Sequence, residues 1–122
     1  MCGICGIVAY RDDAAPHDPQ AVAAMCAAMR HRGPDGLGFL HRPAVQLGHV
    51  RLSIIDLAGG KQPMSNEDGT VHVVFNGEIY NYRDLRPQLE ARGHVFHTNS
   101  DTEVLVHLYE DHGRDLTDHL IG

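Results

Sequence analysis

A run of strand-forming residues, Ile4 to Tyr10, begins almost at the start of the chain. Chain ends are ordered only where an element ties them down, so a strand in this place pins the terminus into the fold. The residues ahead of it then belong to the architecture. Arg11 to His17 follows as a polar loop. Asp18 suits an N-cap and Pro19 a first helical position, while Val22, Met25, Cys26 and Met29 recur at i, i+3, i+4 and i+7. Gly33, after the basic Arg30-His31-Arg32 turn, is the expected end of this helix.

Strand-like segments come next at Gly38–His41, Val45–Arg51 and Leu52–Leu57, then a loop from Ala58 to Gly69 rich in Gly, Pro, Ser, Asn and Asp. Val71–Phe75 reads as a strand running into Asn76-Gly77-Glu78. A second helix is expected over Tyr82–Arg92, closed by Gly93, with Pro87 either moving its start towards Asp84 or kinking it. His94–His97 reads as a short strand. The third helix has the strongest signals: a Ser100/Glu103 capping box, Val104, Leu105 and Leu108 turned inward, and Gly113 as the stop. Strands, helices and strands without regular alternation give an α+β fold.

At 122 residues the chain is one domain at most, and its 43% hydrophobic and 21% charged residues are ordinary for a globular protein. A net charge of −6 without a basic run argues against nucleic acid or an anionic membrane surface as partner. No stretch reaches membrane-spanning length, and the first residues lack the basic and apolar regions of a secretory signal. Three cysteines in such a chain point to reduced thiols and a cytoplasmic location.

Cys2 is the first candidate for chemistry. Removal of the initiator methionine would give one residue both a thiol and a free α-amine. With a reference pKa of about 7.7–8.0, that amine can serve as base for its own side chain. The competing reading is an incidental cysteine at a chain end, which the strand at Ile4 weakens. Cys2-Gly3-Ile4-Cys5 is also a C-x-x-C, but no strand precedes it and no second pair completes a zinc site. Cys26 lies on the apolar stripe of the first helix. The histidines form no H-E-x-x-H and no clean pair on one helix face, so no metal site is expected.

Asn76-Gly77 between apolar stretches is a hairpin signal. It is equally a candidate oxyanion hole, the Asn amide and the Gly N–H converging on one developing charge. Arg51, ahead of the apolar run Leu52–Ile55, is either half of a salt bridge or a fork for a carboxylate. Asp101, beside Ser100, either complements a helix dipole or holds an ammonium.

Taken together, Cys2-Gly3-Ile4, Arg30-His31-Arg32-Gly33-Pro34-Asp35, Arg51-Leu52-Ser53-Ile54, Asn76-Gly77-Glu78-Ile79-Tyr80-Asn81 and Ser100-Asp101-Thr102-Glu103 stand in the order seen in class II glutamine amidotransferases. The phrases R-H-R-G-P-D, G-G-K-Q-P-M and N-G-E-I-Y-N-Y resemble the glutaminase domain of glutamine-hydrolysing asparagine synthetases more than the phosphoribosyl and hexosamine branches. The resemblance covers nearly all 122 residues.

It implies an N-terminal-nucleophile hydrolase fold, a four-layer αββα sandwich, with residues 1–122 as its N-terminal portion. It implies Cys2, Asn76 and Gly77 as catalytic residues, Cys2 attacking the glutamine amide and Asn76 and Gly77 holding the oxyanion. Arg51 would bind the α-carboxylate of glutamine, and Glu78 and Asp101 its α-amino group. No cofactor is expected within residues 1–122. ATP and Mg²⁺ are expected for a C-terminal synthetase domain, and a homodimer is left open. Residues 1–122 alone are expected to be inactive. Three other functions compete: an ammonia donor for a different amidated product, a non-catalytic module of the same fold, and a metal or redox protein, against which the missing second C-x-x-C argues.

Overall fold

The computed structural model describes residues 1–11, 18–53 and 59–122. Most of the polar loop 11–17 and of the expected strand 52–57 lies outside them; Leu52 and Ser53 are in no strand. The order of elements is β1 (Gly3–Val8), α1 (Pro19–Ala28), β2 (Gly36–His41), β3 (Val45–Arg51), β4 (Met64–Ser65), β5 (His72–Val73), α2 (Tyr82–Ala91), α3 (Glu103–His112) and a 3-10 helix (Gly113–His119). The fold is α+β with small antiparallel sheets. No helix among the described residues is long and apolar enough to cross a membrane.

The chain divides into two compact units. The first comprises Met1–Ser53, Lys61–Pro63 and Val74–Asn76. Its centre is a three-stranded antiparallel sheet in the order β1-β3-β2. Side chains alternate across a sheet, and cross-strand partners share a face. One face therefore carries Cys5, Ile7 and Val50, and α1 lies on it, burying Val22 and Cys26. The opposite face carries Ile4, Val8, Leu40 and Leu47, with Ile4 and Val8 exposed. Among the described residues the N-terminal strand is thus an edge strand covered on one side, rather than the buried strand its apolar run suggests.

Asp18 caps α1 as expected, its carboxylate accepting the Gln20 N–H at 2.9 Å with Pro19 in the first position. The helix stops at Ala28, well before Gly33. Arg30 to Arg32 form turns outside it, because the Arg32 guanidinium is drawn to the carbonyl of Cys2 at 3.1 Å.

The second unit contains Met64–Val73 and Gly77–Gly122. Here α3 packs against α2 and against the β4-β5 ribbon, burying Leu85, Leu89, Val104, Leu105, Val106 and Leu108. Helix α2 starts at Tyr82 with Pro87 inside it, so the proline does not move the start to Asp84. Gly93 and Gly113 follow the two helices with positive φ, as the expected stops.

Two expectations fail in this unit. The capping box does not form: Ser100 Oγ accepts from Thr102, while Glu103 reaches past Ser100 to the amides of His97 (2.7 Å) and Thr98 (2.8 Å) and the Thr98 hydroxyl (2.5 Å). Burial pushes this carboxyl up, but the His107 side chain first, and then the His97 and Thr98 donors, pull it well below its ordinary range, to about 2. Residues 94–97 are not a strand. Their amides are taken by side chains instead, Val95 N–H binding Glu67 at 3.0 Å and His97 N–H binding Glu103.

Candidate active site

Cys2 stands one residue before β1, whose first pair is Gly3 with Val50. Continuing that antiparallel register sets Cys2 opposite Arg51, the last residue of β3, on the face away from α1. The sulfur of Cys2 accepts the Leu52 N–H at 3.3 Å and lies 3.5 Å from the Leu52 carbonyl. A thiol can donate to that carbonyl, and a thiolate can be held by that amide. Cys2 is half-buried, whereas Arg51 is only 9% exposed.

Residues 32–35 fasten the end of β3. Arg32 donates to the Cys2 carbonyl, Pro34 bridges to Arg51, and the Asp35 N–H donates to the Arg51 carbonyl at 2.9 Å. The Asp35 carboxylate then accepts the Ser53 N–H at 2.8 Å. Gly33 rests directly on the strand: a Cβ there would lie 2.4 Å from the Val50 carbonyl carbon and 2.5 Å from the Arg51 nitrogen. Only a residue without a side chain allows this approach. Arg32, Gly33 and Asp35 are therefore positioning residues that sequence reasoning missed. The signal was present in the R-H-R-G-P-D phrase, read there only for its resemblance.

The C-x-x-C does not act as a pair. Three positions apart on an extended chain, Cys2 and Cys5 face opposite ways. Cys5 instead meets Cys26, sulfur to sulfur 3.5 Å. Burial and this neighbour push the Cys26 thiol up to about 12.

Asn76 follows a backbone held at Phe75, whose N–H donates to the Gln62 side chain at 2.6 Å and whose backbone also binds the His49 ring. Gln62 belongs to the G-G-K-Q-P-M phrase and was not singled out in the sequence. Asn76 and Gly77 are exposed. They form no hairpin: β5 ends at Val73, the next element is α2, and Gly77 is not among the glycines of positive φ. The turn that gives Asn-Gly its hairpin signal requires positive φ, so that reading is set aside.

In the second unit Asp101, 5% exposed, accepts the Ile79 N–H at 2.8 Å through Oδ2. Its Oδ1 lies 3.5 Å from the Ser100 hydroxyl. Glu78 is half-buried, and desolvation followed by the negative charge of Asp101 raises its carboxyl pKa. A carboxyl whose ionisation is disfavoured by burial and a neighbouring negative charge, as at Glu78, is a setting that a cation relieves. Asp101 stands in the turn ahead of α3, with a buried structural bond besides any dipole effect.

The first unit thus holds Cys2, Arg51 and Asn76, with Cys2 and Arg51 side by side at one strand end. The second holds Gly77, Glu78 and Asp101, with Glu78 and Asp101 together. None of these six belongs to the His/Glu group of metal-ligand spacing found among the described residues.

A glutamine amidotransferase domain family matches residues 1–122. The chain is 45% identical over its whole length to the asparagine synthetase [glutamine-hydrolyzing] of Sandersonia aurantiaca, covering 23% of that protein. It is 44% identical to asparagine synthetase [glutamine-hydrolyzing] 1 of Arabidopsis thaliana and to asparagine synthetase [glutamine-hydrolyzing] 1 of Bacillus subtilis, covering 20% of each. The chain therefore spans about a fifth of the length of these curated relatives. A strand-anchored Cys2 beside Arg51 and a whole-chain match lead to one conclusion: this chain belongs to the class II glutamine amidotransferase domain family, matching the glutaminase region of asparagine synthetases.

Proposed function

We propose that this chain hydrolyses the side-chain amide of glutamine through a γ-glutamyl thioester on Cys2. The ammonia passes to a synthetase domain that uses ATP and Mg²⁺ to convert aspartate to asparagine. The observation that carries the proposal is the Leu52 N–H directed at the Cys2 sulfur, beside Arg51. ATP and Mg²⁺ belong to the second domain, and no step at Cys2 calls on either.

Loss of Met1 frees the Cys2 amine, which takes the thiol proton. The sulfur attacks the amide carbon, and the resulting oxyanion is held by the Asn76 side-chain amide and the Gly77 N–H. The amine returns its proton to the leaving nitrogen, ammonia departs, and water cleaves the thioester to give glutamate. Arg51 binds the α-carboxylate of glutamine in the bidentate manner that suits guanidinium. Glu78 and Asp101 bind the α-ammonium, whose charge offsets their mutual repulsion.

The fold accompanying this chemistry is the αββα sandwich of N-terminal-nucleophile hydrolases. Its support is the sheet β1-β3-β2, with a helix on one face and apolar Ile4, Val8, Leu40 and Leu47 on the other, the pattern of a sheet that packs on a second one.

Treatment of the full-length protein with a diazoketone analogue of glutamine tests the reading. We expect one adduct, on Cys2 of a species lacking Met1, with glutamine-dependent asparagine formation lost and ammonia-dependent formation retained. An adduct on Cys5 or Cys26, or unaffected glutaminase turnover, would overturn it.

A further inference from the structure

Away from these residues, the second unit gathers Glu67, His94, His107 and Glu110, with one ligand-type atom from each within 4.8 Å of the others. Glu67 follows β4, His94 follows Gly93, and His107 and Glu110 are three residues apart on α3, hence on one helix face. The sequence reading sought paired histidines and so passed over this mixed pair.

Three of the spacings come close to the edges of a coordination polyhedron, and a fourth, to the other oxygen of Glu67, is longer. His107 Nδ1 lies 3.3 Å from Glu67 Oε2 and 3.4 Å from Glu110 Oε2. His94 Nδ1 lies 3.5 Å from Glu110 Oε2 and 3.9 Å from Glu67 Oε1. A tetrahedral ion with bonds of about 2.0–2.1 Å has edges of about 3.3 Å between ligand atoms.

Outer partners orient three of the four ligands. His94 Nε2 is engaged by Asp111 at 3.1 Å, itself held by Arg92 at 2.8 Å, which leaves Nδ1 for the cluster. Glu110 Oε1 accepts the Asn66 amide at 2.9 Å and Glu67 Oε1 accepts the Val95 N–H, so each keeps Oε2 towards His107. This is the outer-shell pattern of metal-binding histidines and carboxylates. The fourth, His107, is fully buried, and neither ring nitrogen has a well-formed hydrogen bond. A buried polar group left so in a native fold calls for an explanation.

We propose that Glu67, His94, His107 and Glu110 form a structural site for a divalent transition cation of the zinc class. Two imidazoles and two carboxylates suit zinc, whereas calcium and magnesium favour all-oxygen sets. Four protein ligands close the coordination sphere, which makes the ion a clamp joining the β4-β5 turn, the segment after α2, and α3. The same carboxylates that would hold the ion also favour a proton on His107. Burial opposes that proton, but Glu103, Glu67 and Glu110 together outweigh burial and raise the ring's pKa.

The test uses full-length protein, freed of metal with EDTA and with its accessible thiols alkylated, titrated with Zn²⁺ and separately with Co²⁺. We expect tetrahedral Co²⁺ absorption without a thiolate charge-transfer band. We also expect one Zn²⁺ equivalent that raises the melting temperature and is absent from the Glu67→Gln/Glu110→Gln variant. Asp111→Asn keeps all four ligands and weakens the partner of His94 together with its exposed Arg92 ion pair, so it should weaken Zn²⁺ about 10- to 100-fold without loss of fold. Zn²⁺ stoichiometry and affinity that are the same in wild type and both variants would overturn the proposal. So would a thiolate band, or no Zn²⁺ uptake by the wild type.

Discussion

The backbone N–H of Leu52 points at the sulfur of Cys2 from 3.3 Å, although fifty residues separate the two in sequence. The contact exists because β1 and β3 pair from Gly3–Val50 onward, so the residues just beyond that pair meet at the open end of the ladder. The Cys2 side chain thus acquires a fixed position from a strand it does not itself belong to.

Cys2→Ala in the full-length protein should reduce ammonia release from glutamine by on the order of 10³-fold or more, the scale on which loss of a nucleophile acts. Intact-mass measurement of active wild type should show a chain beginning at Cys2. Retention of Met1 on the active species would contradict the amine's role as base.

Asn76→Ala should lower kcat about 10²- to 10³-fold with little change in KM, since an oxyanion donor acts in the transition state. Arg51→Ala and Asp101→Ala should act chiefly on KM. Steady-state kinetics with glutamine distinguishes the two patterns; a pure KM effect at Asn76 would remove it from the oxyanion hole.

Gly33→Ala places a methyl group 2.4 Å from the Val50 carbonyl carbon, and backbone cannot step aside as a flexible side chain can. A loss of about 1–3 kcal/mol in stability is expected from overpacking, with a further loss of kcat/KM as Arg51 shifts. Thermal denaturation alongside kinetics checks both; an unchanged melting temperature would show that residues 32–35 can lift off β3.

His49 supplies a pH dependence. It is 1% exposed, and burial lowers its pKa against the hydrogen bond to the Phe75 backbone, with Arg51 lowering it further. The folded value lies below the ordinary 6.5, so the unfolded chain binds the proton first. The associated stability is complete above that ordinary value and is lost as pH falls through the lowered folded one. Urea midpoints of wild type and His49→Gln, compared on either side of this window, should diverge at neutral pH and converge on acidification.

Thiol reactivity gives a check on packing. Cys26, 1% exposed and pushed up to about 12, should be the last cysteine alkylated at neutral pH, well after Cys2. Peptide mapping after timed iodoacetamide exposure reads the order.

Where the local sequence carried its own physics, it could be read. Asp18-Pro19 marked the start of α1, Gly93 and Gly113 the stops of α2 and α3, and Val45–Arg51 the bounds of β3. Arg51 stood out as a charge among apolar residues. What could not be read was side-chain traffic over distance. Arg32 leaves the helix pattern for the Cys2 carbonyl, Glu103 leaves the capping box for Thr98, and Gln62 reaches the Phe75 amide. Each depends on a partner that only the folded chain brings near. The His107–Glu110 spacing was visible, but Glu67 and His94 join it only through the fold.

The carboxylate anchoring of residues 95–98 has a spectroscopic consequence. The amides of Val95, His97 and Thr98 are each bound by a carboxylate, yet no strand among the described residues pairs with the backbone there. Deuterium uptake should be slow at these three positions, so exchange alone would count a strand that circular dichroism does not. Replacing either acid, Glu67 or Glu103, should release its own amides and leave the others slow, which makes the segment two separately fastened stitches.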